Sequence, residues 1–233
     1  MTSIHEACRN AAPIIETDGK AIVLDLSIGS HLRETAIAGL DVEQLGTLIN
    51  ACMADAATDF AFGRYGEPRD LYTNEHFAAS EGEEQRTIHM GVDLFCRAGT
   101  PIQAPLAGKV ELLADNAREL DYGPLVVLRH EQGTGEHFFT LYGHLGPDVF
   151  DRLQPGQLVV PGEQIASVGS PPQNGNWPPH LHLQVILDLL DHGVDFPGVA
   201  LRSEQKYWLG LSPSPAPLFP ECDPRELEYA QCN

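Results

Sequence analysis

The sequence predicts a mainly β protein, an antiparallel sheet system preceded by a small α/β extension. Three observations predict it. From about Thr87 onward, short apolar runs alternate with Gly and Pro signals roughly every 8 to 12 residues, as in antiparallel sheets. Before that point, one stretch carries a helical apolar period behind a capping signal. The 233-residue chain is 42% apolar and 20% charged, a composition that buries a sizeable core.

Taken in order, residues 1 to about 16 read as irregular. Lys20–Leu26 reads as a short buried strand closed by Gly29. Asp41-Val42-Glu43-Gln44 starts a helix, because Asp41 can cap it and an amide follows three residues later. The helix is expected to run to about Ala57, with Leu45, Leu48, Ile49 and Met53 on one packing face. Gly63–Arg69 breaks the pattern as a loop. Candidate strands follow at Thr87–Leu94, Pro101–Gln103, Gly108–Leu113, Pro124–Arg129, Phe138–Gly143, Leu158–Val160, Gln164–Val168 and Leu181–Leu187, with a hairpin connection at 131–136. After Gly198 the chain is expected to be irregular, and Ser212–Pro217 to be extended and polyproline-like. This divides the chain into an N-terminal extension (1–72), a β domain (73–200) and a Pro-rich tail (201–233).

Lys+Arg total 14 against 33 Asp+Glu, a net charge of −19. Such a chain repels nucleic acid and anionic membranes, so neither is an expected partner. No apolar run is long enough to span a bilayer, and the first residues lack a basic stretch followed by an apolar one. The five cysteines are widely spaced with no CxxC pair, which speaks against a disulfide framework or a thiolate zinc site. Together these features predict a cytoplasmic location.

The chemistry centres on His180-Leu181-His182. Residues i and i+2 share a strand face, so the two imidazoles lie side by side. Neutral histidine is the commonest metal ligand and the usual general base near pH 7. His89 and Asp93 also share parity, with Gly91 between them leaving room for an ion. His144 ends another strand in Tyr142-Gly143-His144. One histidine and one carboxylate from the first strand, with one histidine from the HxH strand, make the three N/O ligands of a catalytic zinc site. Spacing alone leaves open whether His180 or His182 is the ligand.

These elements resemble the M23 zinc metallopeptidases, the lysostaphin- and LytM-like peptidoglycan endopeptidases, which carry HxxxD, YxH and HxH in that order. Gly99–Ile102, Ala104–Val110 and the series Gly156, Val159, Gly162, Ile165, Val168-Gly169 match as well, so the resemblance covers about residues 86 to 187. It implies the antiparallel two-sheet core of that family. It also implies Zn2+ on His89, Asp93 and His182, with His144 and His180 activating water and stabilising the transition state. The implied reaction is hydrolysis of a peptide bond, with a peptidoglycan-type peptide as default substrate. Tyr142 is a weaker candidate for supporting the oxyanion. The alternatives are a non-catalytic zinc-containing module and a hydrolase of a small cytosolic amide.

Two features depart from the family pattern, and neither is expected to touch a ligand. The loop before HxH reads Pro171 to Pro179 rather than Gly/Ser/Thr-rich, and Gln184 stands where an acidic residue is frequent. The Gly63–Arg69 stretch and the Ser-Pro-rich tail are similar to an M23-like module between kinase-like and aminotransferase-like domains, which implies a module of a larger multidomain protein.

A lone histidine is more often structural than functional, so His5, His31, His76, His130, His137 and His192 are read as surface or packing residues. His130-Glu131 is not a zincin motif, because position 134 is Thr134. Cys96 reads as a small buried apolar residue. Trp177 fits a cleft wall and a core cap equally well.

Overall fold

The structure is a computed structural model that describes residues 8, 11–17, 19–71, 84–131, 135–220 and 222–230. The chain opens with strand β1 (Ile22–Val23), the hairpin β2 (His31–Leu32) and β3 (Thr35–Ala36), helix α1 (Val42–Asp55) and β4 (Ala61–Gly63). Then come β5 (Arg86–His89), β6 (Val92–Phe95), β7 (Pro101–Gln103), β8 (Gly108–Asn116), β9 (Gly123–Glu131) and β10 (His137–Gly143). The C-terminal part holds α2 (Val149–Arg152), β11 (Leu158–Val159), β12 (Gln164–Ser167), β13 (His180–Ile186), β14 (Val199–Leu201) and α3 (Gln205–Leu211).

The principal sheet runs β1-β4-β6-β13-β10-β9-β8-β11, antiparallel except for the β1–β4 pair. Small two-stranded sheets β7–β12 and β5–β14 lie beside it. This is the mainly β, antiparallel architecture that the sequence predicts. The period of two divides each central strand. Leu181, Leu183 and Val185 of β13 join Val126, Leu128 and Tyr142 in the main core. The alternate residues of β13 (His180, His182 and Gln184) face the other way.

Helix α1 forms where its signals place it. The Asp41 carboxylate accepts from the Gln44 backbone N–H, and the Gln44 side chain accepts from the Asp41 N–H. A cap of this kind contributes about 1 kcal/mol. Leu45, Ile49 and Met53 pack on Leu24, Leu26, Ala61 and Phe95, so the extension is fastened to the principal sheet at β4.

Several expectations change. The Thr87–Leu94 strand is two strands: the chain breaks at Met90-Gly91, where the Met90 N–H turns to the Gly198 carbonyl. Lys20–Leu26 is strand only at Ile22–Val23. The segment after Gly198 is not irregular, because β14 pairs with β5 and α3 follows. Ser212–Pro217 is not a free polyproline arm: Ser212 and Ala216 are fully buried, as is Leu218 just beyond. Residues 132–134 of the 131–136 connection lie outside the described residues, as do His5 and His76.

Candidate active site

His182 sits mid-strand on β13, directly across from Asp93 on β6 and Gly143 on β10. His89 ends β5, and the short Met90-Gly91 crossing folds it back over Asp93. Gly91 is needed there, but not to leave room for an ion. A Cβ at Gly91 would lie 2.5 Å from His182 Cε1 and 2.7 Å from the Leu183 carbonyl oxygen, so its space is filled by the His182 ring. His144 follows β10 with φ of +60°, a left-handed conformation uncommon outside glycine. Its backbone is held on both sides, by the Tyr122 carbonyl and the Gly169 N–H.

The structure brings His89, Asp93, His144, His180 and His182 together in one buried cleft. His89 Nε2, Asp93 Oδ1 and His182 Nδ1 are 3.0–3.1 Å from one another. Hydrogen bonds fix the tautomers. A carbonyl only accepts, so His89 Nδ1–H donates to the Arg64 carbonyl at 2.8 Å, and its Nε2 carries a lone pair. The Gln184 amide nitrogen donates to the Pro197 carbonyl (3.1 Å) and Ser212 Oγ (2.9 Å), which turns Oε1 toward His182. His182 Nε2–H donates to that oxygen at 3.0 Å, leaving a lone pair on Nδ1.

Three lone-pair donors therefore face one another with no proton between them and little solvent. In isolation the arrangement is repulsive, and a cation at its centre relieves it. Bonds of about 2.0–2.2 Å in a tetrahedral site place ligand atoms roughly 3.3–3.5 Å apart. The observed triangle is slightly tighter and fits a zinc-like ion with small adjustment.

The other two histidines are held the same way from the Pro171–Pro179 loop. His144 Nδ1–H donates to the Asn174 carbonyl (2.9 Å) and His180 Nδ1–H to the Pro178 carbonyl (2.7 Å). Each keeps an unprotonated Nε2. Their rings are 4.4 Å apart, and His180 stacks on Phe95. Asn174 is fully buried; its side chain ties the loop to Trp177 and Gly169.

Electrostatics agree with neutral imidazoles. Burial, reinforced by the Arg69 charge, lowers His89 to about 4. Burial, followed by the closeness of the His180 and His182 rings, holds His144 well below its usual value, and burial lowers His180. Burial would raise Asp93, but the adjoining His89 ring and the Arg69 guanidinium outweigh it and hold the carboxyl well below its usual value.

Tyr142 is a correction. Its side chain points into the main core, where its hydroxyl and that of Thr140 are hydrogen-bonded at 3.2 Å, so it does not reach the cleft. The cleft tyrosine is Tyr122, whose ring lies 5.5 Å from His182 and 5.9 Å from His144. It slots beside Gly143 and donates its hydroxyl to the Phe196 carbonyl. Trp177 is a cleft wall. His130 is a satisfied packing residue, bonded to the Ala107 carbonyl and Thr140.

The departures reach further than the sequence implies: Gln184 bonds a candidate ligand directly, and the loop carbonyls orient the other two histidines. Gln184 was legible in principle, because it shares strand parity with His182. Arg69 and Glu67 gave no such signal. They lie in what reads as a loop, yet both are buried, and Arg69 bonds Asp93 and Glu67.

Comparison with known proteins gives consistent matches. Residues 87–193 match the model of peptidase family M23. The chain is 30% identical over 135 residues to an L-Ala–D-Glu endopeptidase of Bacillus subtilis, covering 54% of this chain and 39% of that protein. It is 38% identical over 96 residues to an uncharacterized metalloprotease of Haemophilus influenzae, covering 41% of this chain and 18% of that protein. The chain thus spans two-fifths or less of these curated relatives. Among solved structures it is similar to a zinc-containing peptidase from Vibrio cholerae (29% identity, TM-score 0.34, 42% of this chain and 27% of that one). It is also similar to the lysostaphin catalytic domain from Staphylococcus simulans (23%, TM-score 0.37, 52% and 80%).

Proposed function

We propose that the protein is a zinc-dependent endopeptidase cleaving a peptide bond of a peptidoglycan-type peptide, a reading supported by the match of residues 87–193 to the model of peptidase family M23. The observation that carries this reading is the convergence of three lone pairs, on His89, Asp93 and His182, beside two further neutral imidazoles. The name of the Bacillus subtilis relative supports the substrate class.

His89 Nε2, Asp93 Oδ1 and His182 Nδ1 would hold the metal. Zinc bound there would supply Lewis acidity toward a scissile carbonyl and toward water. His144 and His180 do the proton work. Their Nδ1–H groups are committed to backbone carbonyls, so each aims an unprotonated Nε2 into the cleft. The pair accepts the proton of the attacking water, and the imidazolium so formed passes it to the leaving amine. Burial keeps both rings neutral and ready to accept at pH 7. The walls of Trp177, Phe196 and Tyr122 limit water around the reacting bond.

The test is a cleavage screen of the full chain on stem peptides, cross-linked peptidoglycan and unrelated short peptides, before and after chelation. Cleavage of a stem peptide, lost with chelator and restored by zinc, is the expected result. No hydrolysis of any substrate at full zinc occupancy contradicts the reading and favours a non-catalytic zinc module.

A further inference from the structure

The candidate metal site is not completed by the matched domain alone. Two of its three metal-facing side chains are held from Arg64–Arg69, which precedes residue 87. The strand end of His89 is laced to this segment through its N–H to the Glu67 carbonyl, its carbonyl to the Gly66 N–H, and Nδ1–H to the Arg64 carbonyl. Asp93 is held by a side chain: Arg69 Nη1 donates to Asp93 Oδ2 at 2.5 Å. The same guanidinium donates from Nε to Glu67 Oε2 at 2.8 Å, and Glu67 Oε1 accepts from the Leu26 N–H. Arg69 and Glu67 are almost wholly buried, and Gly63 lacks the Cβ that would lie 2.5 Å from Arg69 Nη2.

We propose that Arg69, braced by Glu67, is the positioning residue of the metal site, fixing Asp93 so that Oδ1 alone faces the ion. This rests on the metallopeptidase reading. Asp93 has two oxygens of equal basicity, and a carboxylate free to rotate can offer either or both. A guanidinium fork engages one oxygen along a fixed direction and leaves the other on the His89–His182 side. It also withdraws part of the carboxylate charge, so the ion keeps more of its Lewis acidity. Glu67 balances the guanidinium and sets its angle, because one planar group bonds both carboxylates. A lysine ammonium keeps the charge but has no rigid fork, so Arg69→Lys removes the direction and retains the charge.

The experiment uses the full chain and reads zinc affinity by competition with a chromogenic chelator, alongside thermal unfolding of the metal-free protein. Residues that orient metal ligands change metal affinity roughly 10- to 100-fold when replaced. Arg69→Lys is expected to weaken zinc binding by about tenfold or more in that range. Glu67→Gln is expected to weaken it less, in the same direction. A merely structural role lowers the unfolding temperature and leaves the zinc affinity of the folded protein unchanged. If both variants fold and bind zinc within about twofold of the parent, the assignment is overturned and the metallopeptidase reading stands. If the parent chain itself binds no stoichiometric zinc, the metallopeptidase reading fails and this assignment goes with it.

Discussion

Each histidine of the cleft has one ring nitrogen tied to a fixed acceptor, and that single bond decides what the other nitrogen can do. His89 and His182 point lone pairs at Asp93 Oδ1, while His144 and His180 point theirs into the remaining space. On the proposed reading the first set binds the metal and the second moves protons, so the two sets are expected to respond differently to substitution. His144→Ala and His180→Ala are each expected to retain one zinc per chain and to lose roughly 10²- to 10⁴-fold in turnover, the usual range for general acid–base groups. Metal analysis of the purified variants beside their rates checks this. A variant that cleaves at the parent rate removes that residue from the mechanism. At this scale the sequence was informative about residue types, because the HxxxD, YxH and HxH elements name the five side chains. It was silent on Arg69, whose partner Asp93 lies 24 residues away with no periodicity linking them. Tyr142 was misread because strand parity places it opposite Gly143 and His182, on the core side.

Elements convert these residues into a site. Helix α1 was legible because its capping box and apolar period are local signals. The division between β5 and β6 was not, because it depends on partners distant in sequence: β5 pairs with β14, while β6 pairs with β4 and β13. The C-terminal segment was misjudged for the same reason. Its prolines suggest an extended tail, but Ser212 inserts beneath β13, donating to the Val185 carbonyl and accepting from Gln184. The crossing at Gly91 leaves no room for a side chain. A methyl group there meets the His182 ring and the Leu183 carbonyl, and the carbonyl cannot move without the strand. Gly91→Ala is therefore expected to destabilise the fold by about 1–3 kcal/mol, the range for overpacking, and to weaken zinc binding. Denaturant unfolding with a parallel zinc titration measures both. An unchanged midpoint and affinity would show that β5 and β6 have slack at the crossing.

Across the whole molecule, the site draws on the extension, the sheet and the C-terminal segment, so metal binding and global stability are linked. The extension supplies Arg69, β13 supplies His180 and His182, and the C-terminal segment supports Gln184. Burial of neutral histidines adds a pH dependence. His89, His130, His144 and His180 are all lowered from 6.5 by burial. In the unfolded chain they take up protons near 6.5, whereas folded His89 resists until about 4. The unfolded state thus binds more protons across that window, and stability falls as pH drops. The metal-free chain is expected to show a steady unfolding temperature above pH 6.5 and a progressive fall from 6.5 toward 4. A profile flat down to pH 4 would place these rings in contact with solvent.

The proposed chemistry requires two imidazole nitrogens and one carboxylate oxygen to grip a common ion. X-ray absorption at the zinc edge of the reconstituted full chain tests it most directly. The expected result is one zinc per chain, with only nitrogen and oxygen neighbours at about 2.0–2.2 Å and an imidazole scattering pattern. A sulfur neighbour at about 2.3 Å, or zinc lost on simple dialysis, would contradict it.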